Sequence, residues 1–199
     1  MGKYGSALAI LIGVIIGLVV LVAIFFIFFG WYIRGYNKAV FLEEQSEKAW
    51  SDVDSTLQRR FDLIPNLVET VRGYAEHERE LFESIARSRE KYFQPGASRA
   101  QQIEASGELS GLLSRLLMLQ ENYPQLKANE NFLALQSQLE GTENRINVAR
   151  QRYNTAVSTL NSYARSFFGS FFCSRAGVEK AEYFEATEEA KTEVPDVNF

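Results

Sequence analysis

The sequence predicts an all-α protein, with an N-terminal transmembrane helix followed by an antiparallel up-and-down four-helix bundle with long helices. Residues 7–29, ALAILIGVIIGLVVLVAIFFIFF, carry no charge. After Gly35, apolar residues recur at three- and four-residue steps, the spacing of one helix face. No window shows sustained period-two alternation, so we expect no sheet. We divide the chain into an anchor (1–34), a bundle (35–177) and an extended acidic tail (178–199).

The apolar run is long enough to cross a bilayer. At ~1.5 Å per residue it spans ~34 Å, slightly more than the ~30 Å hydrocarbon core. A cleaved signal peptide has a shorter apolar region of ~7–15 residues and a small-residue cleavage site. This run ends in FFGWYIR, so we expect an uncleaved, single-pass anchor. Trp31 and Tyr32 suit the headgroup region.

Two further features of the anchor bear on its orientation and assembly. Lys3 precedes the span, whereas Arg34, Lys38 and Lys48 follow it. The positive-inside rule therefore favours a cytoplasmic C-terminal body. Gly13 and Gly17 are four residues apart, a spacing that lets two membrane helices approach closely. We expect a homo-oligomer from this pair, although glycine is also simply common in membrane helices.

The stretch RRFDLIPN predicts the joint between the first two bundle helices. Asp62 suits the N-cap of the second helix, and Pro65 then falls in its first turn, where no hydrogen bond is lost. Arg59 and Arg60 would lie in the last turn of the first helix, where cations are favoured.

Later joints have equally local signals. Pro95-Gly96 breaks the second helix, and Ser98 with Gln101 is a capping box that starts the third. Tyr123-Pro124 stops the third helix, and Asn129 suits the N-cap of the fourth.

Up-and-down topology would bring the joints RRFDLIPN and YPQLKANENF together at the pole far from the membrane. The ordinary interpretation is that their polar residues are caps and turn residues. The alternative is a partner-docking pole, formed by Arg59, Arg60, Asp62, Asn66, Lys127, Asn129 and Asn131.

The fourth helix is long enough to continue past the level of Tyr36 and back to the bilayer. We expect it to bend there and to lie at the membrane interface with its aromatic residues toward the lipid. The alternative is that these phenylalanines pack on the bundle or on a neighbouring subunit. The expected membrane-interface residues are Trp31, Tyr32, Phe167, Phe168, Phe171 and Phe172.

The residues point to no catalytic, cofactor or metal site. His77 is the single histidine and Tyr74 stands three residues before it, so the Glu-x-x-His pairs of a di-iron bundle are missing. Cys173 is the single cysteine and has no arranged base. A net charge of −4 argues against a nucleic-acid partner.

The chain resembles the bacterial LemA family. The runs that carry the resemblance are YNKAVFLEEQSEKAWSDVDSTLQRRFDLIPNLVETVRGYAEHE, YPQLKANENFLALQSQLEGTENRINVARQRYN and the tail AEYFEATEEAKTEVPDVNF. It covers residues 8–199 and departs at 158–177, so no role is carried over to that segment. The resemblance implies an N-terminal membrane helix and an α-helical bundle in a bacterial protein, which we place in the inner membrane.

Together these features predict a non-catalytic, membrane-anchored helical-bundle protein that self-associates and scaffolds or organises the membrane. Its partners would be the lipid bilayer and copies of itself, with no cofactor. The alternative is a monomeric or dimeric adaptor that docks an unidentified protein at its membrane-distal pole. The acidic tail would order only on a neighbour.

Overall fold

The computed structural model describes residues 2–184, with the side chains of Gly13 and of residues 15–184. This part of the chain contains six helices and no strand, so the all-α prediction is confirmed for it. The up-and-down four-helix bundle stays a prediction, and residues 185–199 of the predicted tail lie outside the described residues. The helices are α1 (Gly2–Arg72), α2 (Arg79–Phe93), α3 (Arg99–Asn122), α4 (Pro124–Lys127), α5 (Glu130–Arg165) and α6 (Phe167–Ala176).

Helix α1 continues through Asp62–Pro65, where a joint is predicted from the sequence, and that prediction is wrong. Pro65 lies inside the helix, where a proline removes one backbone hydrogen bond and costs ~3 kcal/mol. Phe61, Leu67 and Val71 are fully buried on one helix face. Burying each such side chain contributes about 1.5–3 kcal/mol, so the core contacts outweigh the proline.

The first joint lies instead at residues 73–78. The N–H groups of Tyr74 and Ala75 donate to the carbonyl oxygen of Val71, at 2.9 and 3.0 Å, and close the end of α1. The side chain of Asn129 donates to the hydroxyl of Tyr74 at 3.0 Å. The end of α1 and the start of α5 therefore meet.

The later helix boundaries follow their local signals. Ser98 and Gln101 form both hydrogen bonds of a capping box at the start of α3. Pro124 occupies the first turn of α4. The Asn129 side-chain oxygen accepts a hydrogen bond from the Phe132 N–H at 2.9 Å and caps α5. The predictions for these three boundaries are confirmed.

The chain forms two compact units, and the first contains Met1–Gln45 and Thr159–Ala181. In it, the anchor part of α1 is followed by a small buried cluster made with the end of α5, with α6 and with the segment after α6. The cluster consists of Ala39, Leu42, Leu160, Phe172, Cys173 and Val178.

The predicted bend after the fourth bundle helix is present at Ser166. Helix α5 ends at Arg165, and the Ser166 hydroxyl accepts a hydrogen bond from the Gly169 N–H at 3.2 Å at the start of α6. A Cβ at Gly169 would lie 2.0 Å from the Tyr163 carbonyl oxygen, so this close turn requires glycine.

The second unit contains Ser46–Ser158 and the segment that begins at Glu182, which is described to Phe184. Aromatic contacts join its helices: the rings of Trp50 and Tyr153 are 5.3 Å apart, and those of Phe61 and Tyr92 are 4.3 Å apart. The core also includes Val53, Leu57, Leu67, Leu81, Ile85, Leu109, Leu116, Leu126, Phe132, Leu139 and Ile146.

Replacing Pro65 with alanine tests whether α1 is continuous. Pro65 is exposed, so the variant restores a backbone N–H to the helix interior without removing a core contact. We expect the free energy of unfolding to rise by about 1–3 kcal/mol. Chemical denaturation followed by circular dichroism measures this, with Glu69→Ala as the control at an exposed position of the same helix. An unchanged or lower stability in Pro65→Ala would argue for a joint at this position.

Candidate functional site

Residues 15–29 of α1 present an apolar surface that is exposed along its whole length. Its most apolar window has a mean hydropathy of 2.7, and none of that window is buried. Leu21 is 68% exposed and Ile27 is 70% exposed. α1 is the one helix in the described part of the chain that is long and apolar enough to cross a membrane. It is therefore a candidate membrane anchor.

Gly13 and Gly17 lie on this open part of α1. A Cβ placed on either residue would meet no atom within 4 Å. The small-residue face is thus accessible to a second helix, and self-association through it stays a prediction.

The six residues predicted at the membrane interface come together within the first unit. We call Trp31, Tyr32, Phe167, Phe168, Phe171 and Phe172 the aromatic collar. The Trp31 ring lies 5.2 Å from that of Phe168 and 5.0 Å from that of Phe172. The Tyr32 ring lies 6.4 Å from that of Phe171. All these pairs meet edge to face, the arrangement that aromatic quadrupoles prefer.

The collar phenylalanines divide between two environments. Phe172 is 2% exposed and packs on protein, whereas Phe167 is 86% exposed and Phe168 is 55% exposed. The buried ring needs a glycine opposite it, because a Cβ on Gly35 would lie 2.2 Å from the Phe172 ring. The Tyr163 hydroxyl donates to the Gly35 carbonyl oxygen at 3.0 Å. This hydrogen bond joins the end of α5 to α1 at the glycine that the Phe172 ring contacts.

The single cysteine, Cys173, lies in the same buried cluster as Phe172 of the collar. Cys173 is buried, and burial raises the pKa of its thiol, with a smaller contribution from Glu43. A buried, protonated thiol is a poor nucleophile. Cys173 therefore behaves as a small core residue.

Arg60, predicted at the distal pole, lies in the interior between α1, α3 and α5. It is 2% exposed. Its guanidinium donates to the Ser110 hydroxyl at 3.0 Å and to the Ser106 carbonyl oxygen at 2.9 Å. It also forms an ion pair with Glu143 at 2.9 Å. One side chain thus connects three helices through charge-assisted hydrogen bonds.

A second polar contact lies beside this network. The Tyr92 hydroxyl donates to a carboxylate oxygen of Asp54, which joins α2 to α1. Burial and this hydrogen bond raise the pKa of Tyr92, so the phenol stays protonated and remains a donor. Burial also lowers the pKa of Arg60, and the Glu143 carboxylate opposes that change.

The other pole residues separate into two places. Arg59, Asp62 and Asn66 are exposed within α1, before its end, and Asp62 caps no helix. Lys127, Asn129 and Asn131 lie at the α4–α5 connection, where Asn129 contacts Tyr74. Asn129 therefore lies at the joint at 73–78 rather than at the stretch RRFDLIPN.

Sequence reasoning missed the interior partners of Arg60. The available signal was its position three residues after Leu57 and one before Phe61, on the core face of α1. Ser106 and Ser110 likewise interrupt the leucine face of α3, with Leu109 between them. Small polar residues on a core face indicate a buried polar partner.

An open cleft of ≈ 540 Å³ lies near the joint at 73–78 and is lined by Arg72, Glu76, Arg79, Phe82, Glu83 and Ala86. The Arg72 guanidinium lies 5.5 Å from the centre of the Phe82 ring. Within residues 2–184, no group of three His, Cys, Asp or Glu residues could hold a metal ion.

Neighbouring arginines provide a matched test of the interior network. Arg60→Ala leaves Ser106 and Glu143 without their partner and opens a cavity, so we expect a loss of about 3 kcal/mol in the free energy of unfolding. Arg59→Ala changes an exposed residue and should cost less than about 0.5 kcal/mol. Denaturation of the full-length variants in detergent measures both. Equal stabilities would show that Arg60 is not an interior contact.

Known proteins match this chain over most of its length. The sequence model of the LemA family matches residues 49–199. Magnetosome protein MamQ 2 of Paramagnetospirillum magneticum is 25% identical over 175 residues, covering 75% of this chain and 64% of that protein. MamQ of Magnetospirillum gryphiswaldense is 22% identical over 174 residues, with the same coverage. Protein LemA of Metamycoplasma hominis is 21% identical over 168 residues, covering 84% of this chain and 77% of that protein.

The chain spans about 64% of the length of the magnetosome relatives. The family model covers well over half of the present sequence, from the body of the protein to its last residue. This protein belongs to the LemA family.

Proposed function

We propose that this protein is a non-catalytic membrane scaffold of the bacterial inner membrane, anchored by α1 and associated with copies of itself. The observation that carries the proposal is the uncovered apolar surface of α1, which is followed by the exposed phenylalanines of the aromatic collar. The names of the relatives specify no reaction, which supports a structural rather than a catalytic role.

The apolar surface is too large for a protein that is surrounded only by water. Soluble monomers rarely expose a contiguous apolar patch of more than ~300–600 Å². Every residue from Ile15 to Phe29 is exposed, and all of them except Gly17 and Ala23 are large and apolar. Lipid chains would cover this surface, and the positive residues after it favour a cytoplasmic body.

The aromatic collar supports a second lipid contact. Trp31 and Tyr32 combine an apolar ring with a polar group and suit the headgroup region. Phe167 and Phe168 project from α6 beside them, with Arg175 over the Phe171 ring at 5.6 Å. An apolar side of α6 toward the acyl chains and arginines toward the headgroups is the arrangement of an interfacial helix.

Single-tryptophan variants in liposomes with brominated lipids test the collar. Trp31 and Trp50 are replaced by phenylalanine, and Phe167→Trp supplies the reporter. We expect brominated lipids to quench this tryptophan as strongly as they quench Trp31 in the Trp50→Phe variant. Phe93→Trp in the same background is the control, because Phe93 is an exposed aromatic residue of α2. If brominated lipids quench Phe167→Trp no more strongly than they quench this control, the collar does not contact the lipid.

Self-association is tested by changing the glycine face. Gly13→Leu with Gly17→Leu would block close approach of two helices, so we expect the full-length protein to shift to smaller particles in mass photometry. Gly30→Leu is the matched control, because a Cβ there also meets nothing within 4 Å. A monomer in all three proteins, or equal particle sizes in all of them, would contradict assembly through Gly13 and Gly17.

The cleft near residues 73–78 favours a second candidate function, an adaptor that docks another protein. Arg72, Glu76, Arg79 and Glu83 supply both signs of charge around the apolar floor of Phe82. An adaptor would remain a monomer or dimer with the anchor intact. The particle size of the unmodified protein therefore distinguishes the two functions.

A further inference from the structure

The first unit carries cations just beyond the anchor and has no acidic residue among them. The whole chain has a net charge of −4, yet residues 1–42 and 144–178 contain no Asp or Glu. In the first unit, these stretches provide the anchor, the end of α5 and all of α6. Apart from Lys3, which precedes the anchor, the cations that they contribute to this unit form what we call the cationic belt: Arg34, Lys38, Arg165 and Arg175.

Two belt cations lie on α1 just beyond the collar, and a third follows the point where α5 meets α1. Arg34 and Lys38 are four residues apart and therefore neighbours on one side of α1. The Lys38 ammonium lies 4.8 Å from the centre of the Tyr163 ring, and the Tyr163 hydroxyl donates to the carbonyl oxygen of Gly35. Arg165 comes two residues after Tyr163, at the end of α5. These contacts place the end of α5 beside the part of α1 that carries Arg34 and Lys38.

The fourth belt cation reaches back toward the collar from the far end of α6. Arg175 lies in the last turn of α6, and its guanidinium lies 5.6 Å from the centre of the Phe171 ring, one turn nearer the start of the helix. The Phe171 ring in turn lies 6.4 Å from the Tyr32 ring. An arginine whose stem follows an apolar surface and whose charge stays in a polar layer has the arrangement found at membrane interfaces.

The belt cations make no ion pair with any residue of the described part of the chain. The ion pairs between described residues all lie in the second unit. The belt side chains are exposed, and the acidic residue that follows them on α1, Glu43, stands five residues after Lys38 and is half-buried. Like charges gathered in one region repel each other, and an anionic ligand would relieve that repulsion.

We propose that the cationic belt binds the phosphate groups of anionic phospholipids and gathers these lipids around the anchor. This proposal rests on the membrane anchoring proposed above. A phospholipid is the occupant because the belt adjoins the exposed rings of the collar, and one lipid molecule offers acyl chains to the rings and a charged phosphate to the cations. Each Lys or Arg near an anionic membrane surface strengthens the attraction about fivefold.

The lipids around Trp31 provide a direct test in the full-length protein. Trp50→Phe leaves Trp31, in the collar, as the single tryptophan. The protein is reconstituted in bilayers of phosphatidylglycerol and phosphatidylcholine in equal amounts, with bromine on the chains of only one of the two lipids. Random mixing would give equal quenching in the two preparations. We expect brominated phosphatidylglycerol to quench more strongly, which corresponds to about fivefold enrichment beside Trp31.

Removing the belt charges should abolish this preference for phosphatidylglycerol. The belt variant carries Arg34→Gln, Lys38→Gln, Arg165→Gln and Arg175→Gln. The matched control removes the same number of cations at exposed positions of the second unit, and it should keep the preference. It carries Arg59→Gln, Arg115→Gln, Lys127→Gln and Arg145→Gln. Replacing the three belt arginines with lysine retains the charge, so this variant should keep the preference as well.

Bilayers in which both lipids carry bromine separate this proposal from the anchoring on which it rests. Absence of Trp31 quenching in these bilayers would contradict the anchoring, and the belt proposal with it. Quenching there, combined with equal quenching by the two lipids in the mixed bilayers, would overturn the belt proposal alone. A preference that survives in the belt variant, or that is lost equally in the control, would also overturn it. If inorganic phosphate weakens the preference more than sodium chloride of the same ionic strength, free phosphate occupies the belt and the proposal is wrong.

Discussion

The structure depends on the continuity of α1 through Pro65. One helix supplies the apolar surface of the anchor and one side of the core that surrounds Arg60. Because the helix ends at Arg72, the first joint lies at 73–78 and Tyr74 reaches Asn129. A break at Asp62–Pro65 would change the register of every later helix against α1, and Arg60 would no longer face Ser106 and Glu143. The burial of Phe61, Leu67 and Val71 keeps the helix intact despite the proline.

The interior of the body combines apolar packing with one costly polar group. A buried guanidinium loses its hydration, and Glu143 and the two serines of α3 offset that loss by accepting its hydrogen bonds. Such an arrangement tolerates few alternatives, because shifting α3 by one residue would take Ser106 and Ser110 away from the guanidinium and leave buried N–H donors without acceptors. The network therefore specifies how α1, α3 and α5 align, whereas the leucines of α3 supply burial that is less selective.

The sequence predicts the helix boundaries that depend on hydrogen bonds between residues close together in the chain. The caps at Ser98 and Asn129 were found because their partners are three residues away. Asp62 and Pro65 resemble the start of a helix in the same way. There, however, α1 continues, because Phe61, Leu67 and Val71 are buried against residues far along the chain. Arg60 could not be assigned from its neighbours, because its partners Ser106 and Glu143 lie 46 and 83 residues further along the chain. Asn154 and Asn161 contact Phe184 and Ala181, which lie 30 and 20 residues further along the chain, so these contacts could not be predicted from neighbouring residues either.

The continuity of α1 is tested most directly by a distance between two of its exposed residues. Spin labels at Asp52 and Glu69 are 17 residues apart, so a continuous helix separates their backbones by ~26 Å. A turn at Asp62–Pro65 would place the same two positions on adjacent antiparallel helices, whose axes are ~8–10 Å apart. Pulsed electron-spin resonance of the full-length protein distinguishes these values. A distribution centred near the longer distance is the predicted result, and one centred near the shorter distance would contradict it.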